Sequence, residues 1–239
     1  MVMSAIDVRS GRSGVSAELV GVIRGELRAQ ADPERAPGMQ AYMKSSMPYL
    51  GVPLPSVRRL TRAAAAAHPP RDLDDLLQSA AKLWRTAEYR EERYAATELT
   101  GLRLATGRLE LLDLWREMIV TGAWWDHVDG VAHRIGGLLL AHRDHMTPLL
   151  GSWARDGDRW LRRSSIICQL SLKSRTDVPL LQEVIMVNAA DPEFFVRKAI
   201  GWALRDYART DPEWVRSFVT DHVDVLSPLS RREALKHLM

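Results

Sequence analysis

A helical pattern that recurs about every 35 residues constrains the fold of this chain more than any other feature of its sequence. The segment WLRRSSI at 160–166 resembles FVRKAI at 195–200, and their arginines, Arg163 and Arg197, lie 34 residues apart. Asp129 lies 34 residues before Arg163. A repeat of this length in a helical chain predicts stacked pairs of helices, because one pair cannot bury its apolar face alone.

From about residue 15 onward, nearly every segment has the periodicity and the Ala, Leu, Arg and Glu content of helices. Proline, glycine, Asp-Pro and Ser-Pro separate these segments at short intervals. We therefore predict an all-α fold of about twelve helices, arranged as a right-handed solenoid of HEAT-like helical repeats. Such a stack has a concave face that fits duplex DNA or a helical protein partner, and the period alone does not choose between them.

We assign residues 15–239 to a single repeat domain, and the polar residues 1–14 to a mobile N-terminal leader that lacks the apolar run of a signal peptide. No stretch approaches the roughly 20 apolar residues that a membrane-spanning helix needs. The single cysteine, Cys168, excludes an intrachain disulfide and metal sites built on several thiolates. These features fit a protein of the reducing cytoplasm.

Charge and sequence motifs narrow the function classes further. The formal net charge of +3 permits a polyanionic partner but does not require one. The seven histidines include no HExxH pair, and the chain has no GxSxG motif, phosphate-binding glycine loop or dinucleotide fingerprint. We predict neither a metal site nor a nucleotide cofactor.

One predicted helix carries an aromatic and an acidic residue beside its apolar stripe. Trp125 and Asp129 are four residues apart, and the same strip continues through Ala132 and Gly136. The core stripe beside it consists of Trp124, Val128, Val131, Ile135, Leu138 and Leu139. Trp125 is then either a wide edge of the core beside a solvated carboxylate or part of a site, and the small residues indicate a close approach by a neighbouring helix or a ligand.

A second helix places Trp202 opposite its apolar stripe, on a face that also carries Lys198 and Arg205. Exposed aromatic surface generally marks an interface, although packing against an adjacent repeat explains the position equally well. Arg163 is a solvated arginine by the simplest interpretation. If it lies beside Asp129 in the stack, it can clamp a phosphate and keep the carboxylate ionised, because an adjacent cation lowers the pKa of an acid.

These motifs together resemble the AlkD-like DNA glycosylases, which are HEAT-like-repeat DNA alkylation repair enzymes. The resemblance extends from about Pro33 to the end of the chain and depends on the order and spacing of many short motifs. The most informative are WWDHVD at 124–129, WLRR at 160–163 and KAIGW at 198–202. The others are AYMK at 41–44, YLGV at 49–52, LW at 83–84, IVT at 119–121, EFF at 193–195, RDYA at 205–208 and PLSRREA at 228–234.

The resemblance implies a catalytic centre of four residues. Asp129 matches the catalytic carboxylate, Trp125 and Trp202 match two tryptophans that contact the sugar, and Arg163 matches an arginine that contacts a phosphate. Breaking the bond between C1′ and the base builds positive charge on the sugar. A fixed carboxylate and two aromatic faces stabilise that charge.

The same resemblance implies further DNA contacts. Tyr42 matches a tyrosine of the DNA cleft, and Arg58 matches an arginine that contacts the DNA backbone. We also assign Arg197, Lys198 and Arg205, the cations near Trp202 along the chain, to DNA binding.

The resemblance implies a monofunctional enzyme of base excision repair that removes cationic alkylated purines from double-stranded DNA. Its expected substrates are N3-alkyladenine, N7-alkylguanine and bulky adducts, removed without an enclosed base-flipping pocket. We expect a monomer without cofactors, associated with the bacterial nucleoid through DNA. Two alternatives remain: a non-catalytic repeat protein that recognises damaged or branched DNA, and a scaffold for protein partners.

Overall fold

A computed structural model describes the backbone of residues 5–238 and the side chains of residues 17–238. Within this range the regular structure is entirely helical, which confirms the all-α prediction. Helix α1 begins at Ala5, so most of the predicted leader, residues 1–14, belongs to a helix. Its first four residues lie outside the described range, and its mobility stays a prediction.

The described residues form two compact units, one up to Thr106 and one from Gly107 onward. The assignment of residues 15–239 to one domain therefore stays a prediction. Among the described helices, none is long and apolar enough to cross a membrane.

The first unit contains five α-helices, four of which pack against one another. Helix α5 contacts α3 and α4, and α1 contacts both of these helices as well. The carboxylate of Glu91, at the start of α5, is buried and accepts hydrogen bonds from the backbone N–H groups of Leu50, Gly51 and Val52. The helices are α1 (Ala5–Ala29), α2 (Ala36–Met43), α3 (Leu54–Ala67), α4 (Leu73–Arg85) and α5 (Arg90–Leu99), followed by a 3-10 turn at Arg103–Ala105.

The second unit is a stack of helices in two rows. Helices α7, α9, α11 and α13 contact one another in succession, while α6, α8, α10 and α12 pack against them from the second row. Their bounds are α6 (Leu112–Gly122), α7 (Trp125–Ala141), α8 (Arg143–Trp153), α9 (Arg159–Ile167), α10 (Val178–Val187), α11 (Phe194–Tyr207), α12 (Pro212–Asp221) and α13 (Pro228–Ala234). Two 3-10 turns lie at Leu109–Leu111 and Lys173–Arg175.

Contacts between consecutive repeats of the second unit recur at the predicted period. Hydrogen bonds between residues 34 apart include those of Arg143 with Asp177, of Arg159 with Glu193, and of the Asn188 amide with the Ala154 carbonyl. The period inferred from the sequence is thus the spacing between helices that lie side by side in the stack.

Two glycines allow the helices of the first row to touch. A Cβ atom on Gly136 of α7 would lie 2.1 Å from the carbonyl oxygen of Cys168, at the end of α9. A Cβ atom on Gly201 of α11 would lie 2.5 Å from the Cβ atom of Glu233 on α13. The small residues Ala132 and Gly136 are buried, and the neighbouring helix accounts for Gly136.

Replacing Gly136 with alanine should destabilise the second unit by about 1–3 kcal/mol, because the new methyl group collides with backbone that has no room to move. Gly137→Ala is the matched control on the same helix, since a Cβ there meets nothing within 4 Å. That control should be neutral or stabilise by up to about 1 kcal/mol through helix propensity. Urea unfolding of both variants measures the difference, and equal stabilities would contradict the close contact between α7 and α9.

Candidate active site

Asp129 of α7 and Arg163 of α9 form a two-pronged ion pair. The Nε atom of Arg163 donates to Oδ1 of Asp129 at 2.9 Å, and its Nη2 atom donates to Oδ2 at 2.9 Å. Such parallel hydrogen bonds fix the plane of a carboxylate as well as its position. The Asp129 side chain remains 17% exposed, whereas the Arg163 side chain is only 5% exposed.

Arg163 also connects this pair to a third helix. Its Nη1 atom donates to the carbonyl oxygen of Phe195, in the first turn of α11, at 2.6 Å. We expected Arg163 to hold a DNA phosphate, but its burial and its three protein acceptors favour a different role. Arg163 orients Asp129 and ties it to α9 and α11.

Burial and the ion pair act on the pKa of Asp129 in opposite directions. Burial raises the pKa of the Asp129 carboxyl above its ordinary value, because a low-polarity environment disfavours the charged form. The hydrogen bonds and the charge of Arg163 lower it again, and the net shift is upward. Arg163 therefore favours the ionised form of Asp129 and opposes the effect of burial.

The two predicted tryptophans lie on α7, which carries Asp129, and on α11, which packs against α9. Trp202 of α11 is half-buried, and its ring centroid is 6.0 Å from the Cζ atom of Arg163. Trp125 is also half-buried and begins α7, one turn before Asp129 on the same helix face. The carboxylate and both indoles are thus partly accessible, neither sealed in the core nor fully exposed.

An aromatic cluster, which the sequence did not reveal, supports the site. The ring of Phe195 lies 5.4 Å from that of Trp124, 5.1 Å from that of Trp160 and 5.3 Å from that of Phe194. The carbonyl group that anchors Arg163 therefore belongs to a residue whose side chain is fixed by three others. The alignment of Trp160 with Phe195 in the repeat is a sequence signal that could have indicated it.

Lys198 and Arg205, which we predicted to bind DNA, both pair with an acidic residue of α13. The Nζ atom of Lys198 lies 3.0 Å from Oε1 of Glu233, and Nη1 of Arg205 donates to Oε2 at 2.6 Å. Sequence reasoning missed Glu233. The neighbouring Arg197 is half-buried, and its Nε atom is buried without a hydrogen-bond partner.

The other two predicted DNA contacts, Tyr42 and Arg58, belong to the first unit. Tyr42 is 76% exposed, an unusual position for a large aromatic side chain. Arg58 is exposed, and its Nε atom lies 3.8 Å from Oε2 of Glu98. Within residues 17–238, no three histidine, cysteine or acidic side chains converge as metal ligands would.

Comparisons with known proteins agree on one family. A family model described as DNA alkylation repair enzyme matches residues 23–238. A solved structure described as a predicted DNA alkylation repair enzyme from Enterococcus faecalis is 31% identical, with a TM-score of 0.77 over 87% of this chain and 97% of that chain. A search among curated proteins gives no match.

Two further solved structures share the fold at lower identity. AlkD2 from Streptococcus mutans is 16% identical, with a TM-score of 0.61 over 78% of this chain and 90% of that chain. The protein smu.31 from Streptococcus mutans UA159 is 17% identical, with a TM-score of 0.59 over 77% of this chain and 98% of that chain.

Replacing Arg163 with glutamine should raise the pKa of Asp129 further, because burial remains while the bonds that lower the pKa are lost. Carbon-13 NMR of the aspartate carboxyl groups measures the titration, and Asp129→Asn identifies the resonance. Arg159→Gln is the control, since it removes a more exposed ion pair to Glu193 from the same helix. An unchanged or lowered pKa in Arg163→Gln would contradict the dependence of Asp129 on Arg163.

Proposed function

This chain belongs to the DNA alkylation repair enzyme family, and we propose that it is a monofunctional DNA glycosylase for cationic alkylated purines. Its substrates are N3-alkyladenine and N7-alkylguanine in duplex DNA, together with bulkier adducts of the same charge. One observation carries the proposal. A carboxylate held rigidly by an arginine lies partly open to solvent, with two half-buried indoles on the adjoining helix faces.

The reaction needs a stabilised positive charge more than it needs a strong acid. Alkylation at N3 or N7 makes the base cationic, so that it leaves as a neutral molecule when the C1′–N bond breaks and takes the electron pair. The sugar then carries oxocarbenium-like charge. Water forms the new bond to C1′, and its proton passes to Asp129 or to solvent.

Asp129 supplies the negative charge in this proposal. A carboxylate that is already oriented stabilises the transition state without any reorganisation during the reaction. Arg163 holds it in place through α9 and Phe195, so that the same geometry is present before DNA binds. Trp125 and Trp202 present ring faces, which attract a cation as charge develops on the sugar.

In this proposal the remaining predicted residues bind the DNA. Arg197 is the strongest candidate in the second unit, because it is half-buried and has no ion pair among the described contacts. Lys198 and Arg205 contribute positive charge from their pairs with Glu233. Tyr42 and Arg58 present an exposed ring and an exposed guanidinium on the first unit.

With this arrangement, the enzyme selects substrates by the charge of the base and not by the fit of a pocket around it. An enzyme that stabilises the sugar cation favours bases that leave easily, so neutral lesions should react poorly and bulky cationic adducts should be accepted. We place the enzyme in the bacterial cytoplasm, acting as a monomer without cofactor on the alkylated DNA of the nucleoid.

Asp129→Asn should slow excision by roughly an order of magnitude or more, because removing a preorganised charge from a transition state typically costs a few kcal/mol. Release of free 7-methylguanine from alkylated duplex DNA under single-turnover conditions measures the rate, after subtraction of spontaneous loss. Asp144→Asn, which removes an exposed acidic residue of α8, is the matched control and should retain the activity.

Equal rates for Asp129→Asn and the wild type would remove Asp129 from the mechanism. If the wild type releases no base yet binds DNA with a steep salt dependence, the non-catalytic alternative is correct. Weak binding that salt does not affect would instead indicate a scaffold for proteins.

Arg197→Ala and Arg58→Ala should each weaken DNA binding and reduce the salt slope by about one unit, because each lost phosphate contact releases one counterion fewer. Arg163→Gln should leave the slope unchanged, since the buried guanidinium is engaged within the protein. Arg155→Ala, which removes an exposed ion pair with Glu183, is the control. Fluorescence anisotropy at several salt concentrations gives the slopes, and a lower slope for Arg163→Gln would restore its phosphate contact.

A further inference from the structure

We propose that Glu233 of α13 is a positioning residue for Trp202, and that it acts by fixing the two cations that lie on either side of the indole along α11. The inference rests on the proposed function, because it concerns the orientation of a ring that would face the sugar.

The carboxylate of Glu233 divides its two oxygens between two partners. Oε1 lies 3.0 Å from Nζ of Lys198, and Oε2 accepts from Nη1 of Arg205 at 2.6 Å. Both cations are partly buried, and the Glu233 side chain is 17% exposed. These partners, Lys198 first, hold the pKa of Glu233 below its ordinary value, so the carboxylate is charged at neutral pH.

The spacing along α11 places Trp202 between these two cations. Lys198, Trp202 and Arg205 occupy positions i, i+4 and i+7, which lie on one face of an α-helix. Seven residues span about 10 Å of helix, so one carboxylate reaches both cations only if both side chains bend towards it. The two bent side chains then limit the directions open to the indole. Its ring centroid lies 6.0 Å from Cζ of Arg163.

The packing of α13 against α11 fixes the backbone position of Glu233. Gly201, next to Trp202, has no side chain, and a Cβ atom there would lie 2.5 Å from Cβ of Glu233 and 2.9 Å from the carbonyl oxygen of Ser230. The buried hydroxyl group of Ser230 donates to the carbonyl oxygen of Arg197 at 2.9 Å. The distance between α11 and α13 is therefore set independently of the ion pairs.

The alternative is that the ion pairs of Glu233 only stabilise the fold, and this alternative predicts different results. Partly exposed ion pairs contribute little to the free energy of unfolding, so loss of the pairs alone would leave catalysis unchanged. A positioning role predicts the opposite pattern. Chemistry should slow while DNA affinity holds or improves, because removing the acid also frees positive charge.

The test is Glu233→Gln, which keeps the size of the side chain but leaves one acceptor for two cations. We expect the single-turnover rate of 7-methylguanine release to fall roughly tenfold, since small misplacements of a reacting group have effects of this order or larger. The dissociation constant for the same DNA should be unchanged or lower. Glu183→Gln is the matched control, because it removes the ion pair between Arg155 and α10 in the second row.

A second measurement follows Trp202 directly. In protein labelled with 5-fluorotryptophan, Trp202→Phe identifies the fluorine resonance of residue 202. Glu233→Gln should shift or broaden that resonance, and Glu183→Gln should not. If Glu233→Gln does not fold, Arg205→Met breaks one of the two pairs and serves the same purpose.

The outcomes separate the two proposals. A Trp202 resonance that stays in place in these variants overturns the positioning role, whether or not the rate changes, and so does a wild-type excision rate in Glu233→Gln. If the resonance moves but the wild-type protein releases no base, the positioning role stands and the proposed glycosylase function fails.

Discussion

The ion pair between Asp129 and Arg163 is the interaction on which the candidate site depends. Neither partner is stable alone at its position, because an unpaired charge in a largely buried environment is costly. Together they satisfy one another, and the third nitrogen of Arg163, Nη1, donates to the Phe195 carbonyl. Three consecutive helices of the first row, α7, α9 and α11, are thereby held in one register.

This constraint also explains the residues around the pair. Gly136 lets α7 approach the end of α9 closely enough for the two side chains to meet in direct contact. Trp124, Trp160 and Phe194 fix the ring of Phe195 and hence the turn that carries its carbonyl. The close approach of the helix backbones therefore brings the side chains of the site together.

The fold and the centre of the site were largely predictable from the sequence, because both follow from the period. A 34-residue offset places Asp129 and Arg163 on adjacent helices, and the contact between them was anticipated. The half-burial of Trp125 agrees with its position beside a core stripe, whereas Trp202, expected opposite its stripe, is half-buried as well. Family membership was predictable from the order of the short motifs.

Other parts were not predictable, for physical reasons. The Phe195 carbonyl is a backbone atom, and sequence patterns do not show which backbone groups accept side-chain bonds. The phosphate contact of Arg163 stays a prediction, and the burial that favours an orienting role for this side chain is not visible in a sequence. Glu233 was missed because its two partners lie on α11, about 30 residues away, and only the packing of α13 against Gly201 brings them together.

The Phe195 anchor has a consequence for how this site can change over time. Every amino acid at position 195 carries the same carbonyl oxygen, so no codon change there deletes the acceptor of Arg163. Variation at 195 can reshape the aromatic cluster while leaving the anchor chemically intact. Mutations can loosen this attachment only indirectly, by moving the first turn of α11. Selection must therefore preserve the path of the main chain and not the identity of one side chain.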